Sequence, residues 1–217
     1  MREIVLDTET TGLEPGQGHR IIEIGCVEVK NRTPTGARYH CYINPERDVP
    51  EDAQRITSLT SEFLRDKPLF AEIADAFLTF IGDSPLVIHN AEFDLKFLNA
   101  ELGRLQKPAI AADRAVDTML IARRRFPGAP ASLDALCRRF DIGLDERKAN
   151  GHGALLDAEL LAQVYLELSG GRQPGLELVG TAARKQDSTV AHQALPPRPR
   201  PLPTLVSAEE LARHEAA

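Results

Sequence analysis

The stretch IVLDTETTGL, residues 4–13, constrains the fold more than any other part of the chain. Ile4, Val5 and Leu6 form an unbroken aliphatic run, the pattern of a strand covered on both faces and therefore central in its sheet. The run passes directly into Asp7 and Glu9. Alternate residues of a strand share a face, so both carboxylates aim at one point beyond its end. Two like charges taken out of water at that point need a cation to offset them. Gly12, after Thr10 and Thr11, lets the backbone approach a ligand closely.

The rest of the pattern supplies partners for that strand. Residues 3–7, 20–29 and 37–43 read as three strands, and the Gly- and Pro-containing loop after Glu14 favours an antiparallel first pair. Apolar positions 70, 73, 74, 77, 78 and 81 fall on one face of a helix that ends at Gly82. A short strand at 85–89 (PLVIH) leads into a helix carrying Phe93, Phe97, Leu98 and Leu102. A strand near 115–117 follows, then helices at about 118–126 and 132–140. A last helix, 154–169, buries Leu156, Leu160, Leu161, Val164 and Leu168 and stops at Gly170 and Gly171. Strands first, then strands alternating with helices, specify an α/β architecture with a mixed central sheet flanked by helices.

Two further clusters carry polar chemistry. IHNAEFD (88–94) puts Asn90 at a strand end and Asp94 in the first turn of the next helix, where a carboxylate also serves as a cap or dipole partner. HGALLDA (152–158) sets His152 between Gly151 and Gly153, five residues before Asp157. Residues i and i+5 of a helix do not share a face, which assigns His152 to a mobile loop and Asp157 to the helix. Asp7, Glu9, Asp94 and Asp157 together offer only oxygen donors, a set that selects Mg2+ or Mn2+ over zinc. Two such ions about 4 Å apart would balance four carboxylates. An imidazole with an ordinary pKa near 6.5 suits the removal of a water proton at neutral pH. The chemistry these residues permit is phosphodiester hydrolysis.

Composition excludes other classes. Cys26, Cys41 and Cys137 are odd in number and widely spaced, so neither a disulfide framework nor a thiolate metal site is expected. No run approaches 18 apolar residues, and MREIVLDTET has acids where a signal peptide needs its apolar segment; a cytoplasmic protein without membrane contact is expected. The net charge of -6 argues against holding nucleic acid by phosphate neutralisation alone. Residues 1–169 contain 20 basic and 27 acidic side chains, so the acidity resides in the folded part. The clusters Arg123-Arg124-Arg125 and Arg138-Arg139 are either phosphate contacts or solvated helix faces.

DTETTG, HNAEFD and HGALLDA, in this order, resemble the three motifs of the DEDD superfamily of 3′-to-5′ exonucleases in its histidine subgroup (DEDDh). SLDALCRRF, FPG and GALLDAELLAQVYLELSGG extend the resemblance over residues 1–171, to the epsilon proofreading-subunit family of bacterial DNA polymerase III. The resemblance implies a ribonuclease-H-like fold and removal of nucleotides from a DNA 3′ end. It also implies two divalent cations, Mg2+ or Mn2+, held by Asp7, Glu9, Asp94 and Asp157, with His152 as general base. Thr10, Leu13, Phe93 and Asn90 would meet the terminal nucleotide, where stacking and wedging of an unpaired base suit Phe93 and Leu13. In one departure, Thr57-Ser58 stands where relatives often carry His-Gly, which bears on handling of the terminal base.

The chain changes character after Gly171. Five prolines lie within residues 196–203, and 172–217 reads as a disordered tail. Within it QPGLEL (173–178), from Gln173 on, resembles the short peptide by which replication proteins bind the sliding clamp. Beyond the prolines, Ser207 and Glu210 form a capping box, with Val206 and Leu211 as a hydrophobic staple. Residues 196–217 are thus expected to dock on the polymerase III alpha subunit, in a protein associated with the nucleoid and replisome. An RNA trimmer of the same chemistry and a silent scaffold are the competing readings; intact acids disfavour the scaffold, and the tail disfavours the trimmer.

Overall fold

The structure, a computed structural model, describes residues 1–145, 147 and 151–171. The tail segments expected at 173–178 and 196–217 lie outside the described residues. Five strands form one sheet: β1 (Arg2–Thr10), β2 (Ile21–Lys30), β3 (Thr33–Tyr42), β4 (Leu86–Ile88) and β5 (Ala115–Asp117), in the order β3-β2-β1-β4-β5. β1 pairs antiparallel with β2, and β2 with β3, whereas β1–β4 and β4–β5 are parallel. This mixed sheet has the ribonuclease-H-like order, with β1 at its centre. Among the described residues no helix is long and apolar enough to cross a membrane.

The helices that the described residues cover in full are α1 (Glu51–Thr57), α2 (Ser61–Leu64), α3 (Phe70–Ile81), α4 (Ala91–Arg104), α5 (Thr118–Arg125), α6 (Leu133–Arg139) and α7 (Ala154–Leu168). They cover both faces of the sheet, which explains the unbroken aliphatic run in β1. Ile4 and Leu6 point into a core with Phe70, Phe77, Phe97 and Leu98 from α3 and α4. Val5 points the other way, into a core with Leu136 of α6 and Leu161, Val164 and Leu168 of α7. Each such side chain taken fully out of water contributes about 1.5–3 kcal/mol.

Three departures from the pattern have local causes. β1 runs on through Asp7 and Glu9 to Thr10, so the carboxylates sit within the strand rather than past its end; Glu9 still pairs with Glu23, and the register slips only between Glu9 and Thr10. β3 starts at Thr33, earlier than periodicity indicates. Asn31 and Arg32, at φ 51° and 66°, close a two-residue hairpin that carries no glycine to announce it. Pro34 is tolerated because β3 is an edge strand. Finally, α1 and α2 are too short to show an apolar period. Glu51 and Asp52 fill the first turn of α1, and the Thr60 hydroxyl caps α2 by accepting from Phe63 N.

Candidate active site

β1 presents Asp7 and Glu9 on one face, half-buried, while Thr8 and Thr10 on the opposite face are buried. Asp94 reaches the same end of the sheet from the first turn of α4. Its Oδ1 accepts from Thr8 N at 3.1 Å and from Thr8 Oγ1 at 2.7 Å, which ties α4 to β1 between the two acids. Asp157 arrives from the first turn of α7; it and Asp94 are each 3% exposed. The close approach of α7 depends on Gly25 of β2. A Cβ there would lie 2.2 Å from Leu155 N and 2.4 Å from Ala154 O, both backbone atoms that cannot swing aside.

His152 lies in the loop before α7 and stays half exposed. Its Nδ1 is 3.5 Å from Asp157 Oδ2, and one ligand atom from each of Glu9, His152 and Asp157 lies within 4.8 Å of the other two. The helical spacing that separates positions 152 and 157 does not keep them apart, because His152 precedes the first turn. Its backbone N–H donates to Ile56 O at 3.1 Å, and a Cβ on Gly151, at φ 82°, would come within 2.9 Å of Ser58 Oγ. The His152 loop therefore rests on the end of α1.

Arg147 carries no signal in the sequence motifs, yet its guanidinium enters the cluster. Nε and Nη2 lie 2.7 Å from Asp157 Oδ1 and Oδ2, Nη2 donates to His152 Nδ1 at 2.8 Å, and Nη1 pairs with Asp134. A forked cation on a buried carboxylate is the usual answer to an otherwise uncompensated charge. The remaining acids show the strain of the arrangement. Burial, then Asp157, Glu23 and Asp94, pushes the Glu9 carboxyl up to about 8. Burial raises Asp94 to about 7 against the two Thr8 hydrogen bonds, and Asp7 is driven up by burial, Asp94, Glu9 and Asp157. A donor set of oxygens that strains against its own charge fits hard divalent cations, with Arg147 as the stand-in.

Beside the acids opens a cavity of about 510 Å³ lined by Thr10, Leu13, Phe93 and, from α1, Ile56 and Thr57. Leu13 is 78% exposed and available as an apolar wall, while Phe93 lines the cavity and also packs against the core beside Phe97. Asn90 is exposed just before α4, at φ 71°, where its left-handed backbone turns the chain from β4 into α4; it is not among the residues lining this cavity. Within the basic clusters, Arg125 donates to Glu167 O and Leu168 O, Arg138 pairs with Asp134, and Arg139 stacks 4.3 Å over Phe126, while Arg123 and Arg124 are exposed. The three cysteines are free.

Residues 4–165 match the family model described as exonuclease, of the RNase T type. The chain is 50% identical to the DNA polymerase III subunit epsilon of Rickettsia typhi, over 99% of this chain and 94% of the relative. Against the subunit of the same name from Escherichia coli K12 the identity is 41%, over 99% and 91%. Among solved structures, exonuclease X in complex with 5′ overhanging duplex DNA is similar at a TM-score of 0.61 and 26% identity, covering 76% of this chain and 90% of that one.

Proposed function

Since the chain belongs to the exonuclease family, in its DNA polymerase III epsilon branch, we propose that it is the 3′-to-5′ proofreading exonuclease of a bacterial replicative DNA polymerase. The observation that carries the reading is the convergence of Asp7, Glu9, Asp94 and Asp157 from β1, α4 and α7 beside the imidazole of His152. Divalent-metal dependence is general to this family, and the all-oxygen donor set favours Mg2+ or Mn2+. Two such ions, when bound, supply Lewis-acid activation of a water and charge balance at the leaving oxygen. The four carboxylates would hold them. His152, half open to solvent, takes the water's proton. Leu13, Phe93 and Ile56 offer an unpaired base apolar surface, and Thr10 shapes the backbone beneath it.

An acidic domain grips a polyanion poorly. Residues 1–171 therefore work on a strand end delivered by a partner, and residues 172–217 supply the tether. The segment 173–178 contacts the sliding clamp, and 196–217 docks on the polymerase alpha subunit, giving a cytoplasmic, replisome-associated enzyme. Deleting 196–217 is expected to abolish co-elution with that subunit while leaving digestion of free oligonucleotides intact; unchanged co-elution refutes the docking.

The decisive assay offers the full chain, with Mg2+ or Mn2+, a mispaired 3′ DNA end and an RNA of matched sequence. Digestion of the DNA from its 3′ end is expected. A preference for RNA removes the proofreading reading, and no digestion of either removes the enzyme. His152→Ala is expected to lower kcat by about 10²–10⁴-fold with little change in KM, as loss of a general base acting in the chemical step requires.

A further inference from the structure

The cavity beside the acids is rich in hydroxyls, yet their protons are already committed. Thr8 Oγ1 donates to Asp94, Thr10 Oγ1 to Gly12 O at 2.6 Å, and Thr57 Oγ1 to Ala53 O at 2.9 Å. Thr57 also accepts from Leu59 N at 3.2 Å, so the residue standing where relatives often carry histidine has no donor to spare. Glu9 and Asp52 contribute acceptors only when ionised. Among the described residues lining the cavity, the uncommitted side-chain donors are the exposed amide of Gln17 and the imidazole of His19.

His19 is held in place. Its ring lies on Gly12, where a Cβ would meet Cε1 and Nδ1 at 2.4 Å. Thr11 Oγ1, on a residue 1% exposed, lies 3.1 Å from His19 Nδ1 and accepts from Arg20 N at 3.0 Å. Nδ1 is the one acceptor within reach of the buried Thr11 hydroxyl proton among the described residues, and donating there leaves a neutral ring with its own proton on Nε2. Nε2 has no partner among the described residues. It is a fixed side-chain N–H donor at the wall of a cavity whose other fixed side chains, with Glu9 and Asp52 ionised, accept or exclude.

We propose that His19 is a specificity-determining residue: its Nε2–H donates to an acceptor oxygen of the terminal nucleoside, on the sugar or on the base edge. This rests on the exonuclease reading above. The loop 11–20 is then more than a link between β1 and β2, because the Thr11 hydroxyl sets the tautomer that lets the ring donate.

The test uses the full chain, Mg2+, and single-stranded DNA ending in either a 3′-hydroxyl or a 3′-deoxy sugar. His19→Phe keeps a ring over Gly12 and removes the donor, whereas His19→Gln keeps a donor and removes the ring. His19→Phe is expected to raise KM about five- to ten-fold with kcat within about two-fold, the effect of one lost hydrogen bond in binding, and His19→Gln to recover most of it. If the Phe variant also loses the wild type's preference for the 3′-hydroxyl, the sugar is the acceptor; if it keeps that preference while KM rises, the base edge is. A Phe variant with wild-type KM, or one that outperforms the Gln variant, makes His19 a packing residue and overturns the proposal. A wild type that digests no DNA defeats the exonuclease reading itself, which separates the two failures.

Discussion

Asp7→Asn is expected to lose at least about a thousand-fold in DNA digestion while making the metal-free protein more stable. The first effect follows from removing a charged oxygen donor from the proposed metal site, where each cation would contribute several kcal/mol to catalysis. The second follows from the upward shift of Asp7, whose charged form is opposed by burial, Asp94, Glu9 and Asp157. The folded chain holds its carboxyl protons to a higher pH than the unfolded chain. Stability in chelator therefore falls as pH rises from about 4, where unfolded carboxyls ionise, towards about 8, where Glu9 does so in the fold. Above that the cost is fully present. The relief by asparagine is expected at pH 8, where the unfolded carboxyl is ionised and burial and the neighbouring acids oppose the charge in the fold. Thermal melts in chelator at pH 5 and pH 8 read this out: the variant should melt higher at pH 8, and the gap should narrow at pH 5. Saturating Mn2+ should reverse the order, since binding to the folded wild type adds stability by mass action. A variant less stable than wild type at pH 8 in chelator would contradict the account of the charge cluster.

Gly25→Ala is the second large effect, and it touches no reacting group. The new methyl meets the backbone of Ala154 and Leu155, so α7 must move outward at its first turn. That turn carries Asp157 and follows directly from His152. Overpacking of this kind costs about 1–3 kcal/mol, and a displacement of about 1 Å at a reacting group costs about 10²-fold in rate. Both are expected together: a lower melting temperature, and a fall in kcat well beyond what the unfolded fraction explains at the assay temperature. Wild-type activity in a folded Gly25→Ala protein would mean that α7 does not need to approach β2 this closely.

Periodicity carried most of the sheet and the longer helices. α3 buries Phe70, Ile73, Ala74, Phe77 and Ile81 on the face its spacing marks, and β5 occupies 115–117. What it could not carry is structure built from single contacts. α1, α2 and the Asn31–Arg32 hairpin depend on first-turn charge, a threonine cap and two left-handed residues, none of which leaves an apolar period. The site divides in the same way. The four acids and His152 stand out because their types are costly where they sit, and the structure gathers them. Arg147 and His19 are ordinary residue types outside the motifs. Arg147 joins the cluster through a long flexible side chain, and His19 through a hydroxyl eight residues away, so neither has a spacing to read.

The bond from His152 N to Ile56 O has a mechanical meaning. Ile56 forms part of the wall against which a terminal base would rest, and the same peptide unit holds up the loop of the general base. On the proposed function, the surface that would seat a terminal base and the loop that carries His152 are joined through one peptide unit, so a change at Ile56 is expected to be felt at both.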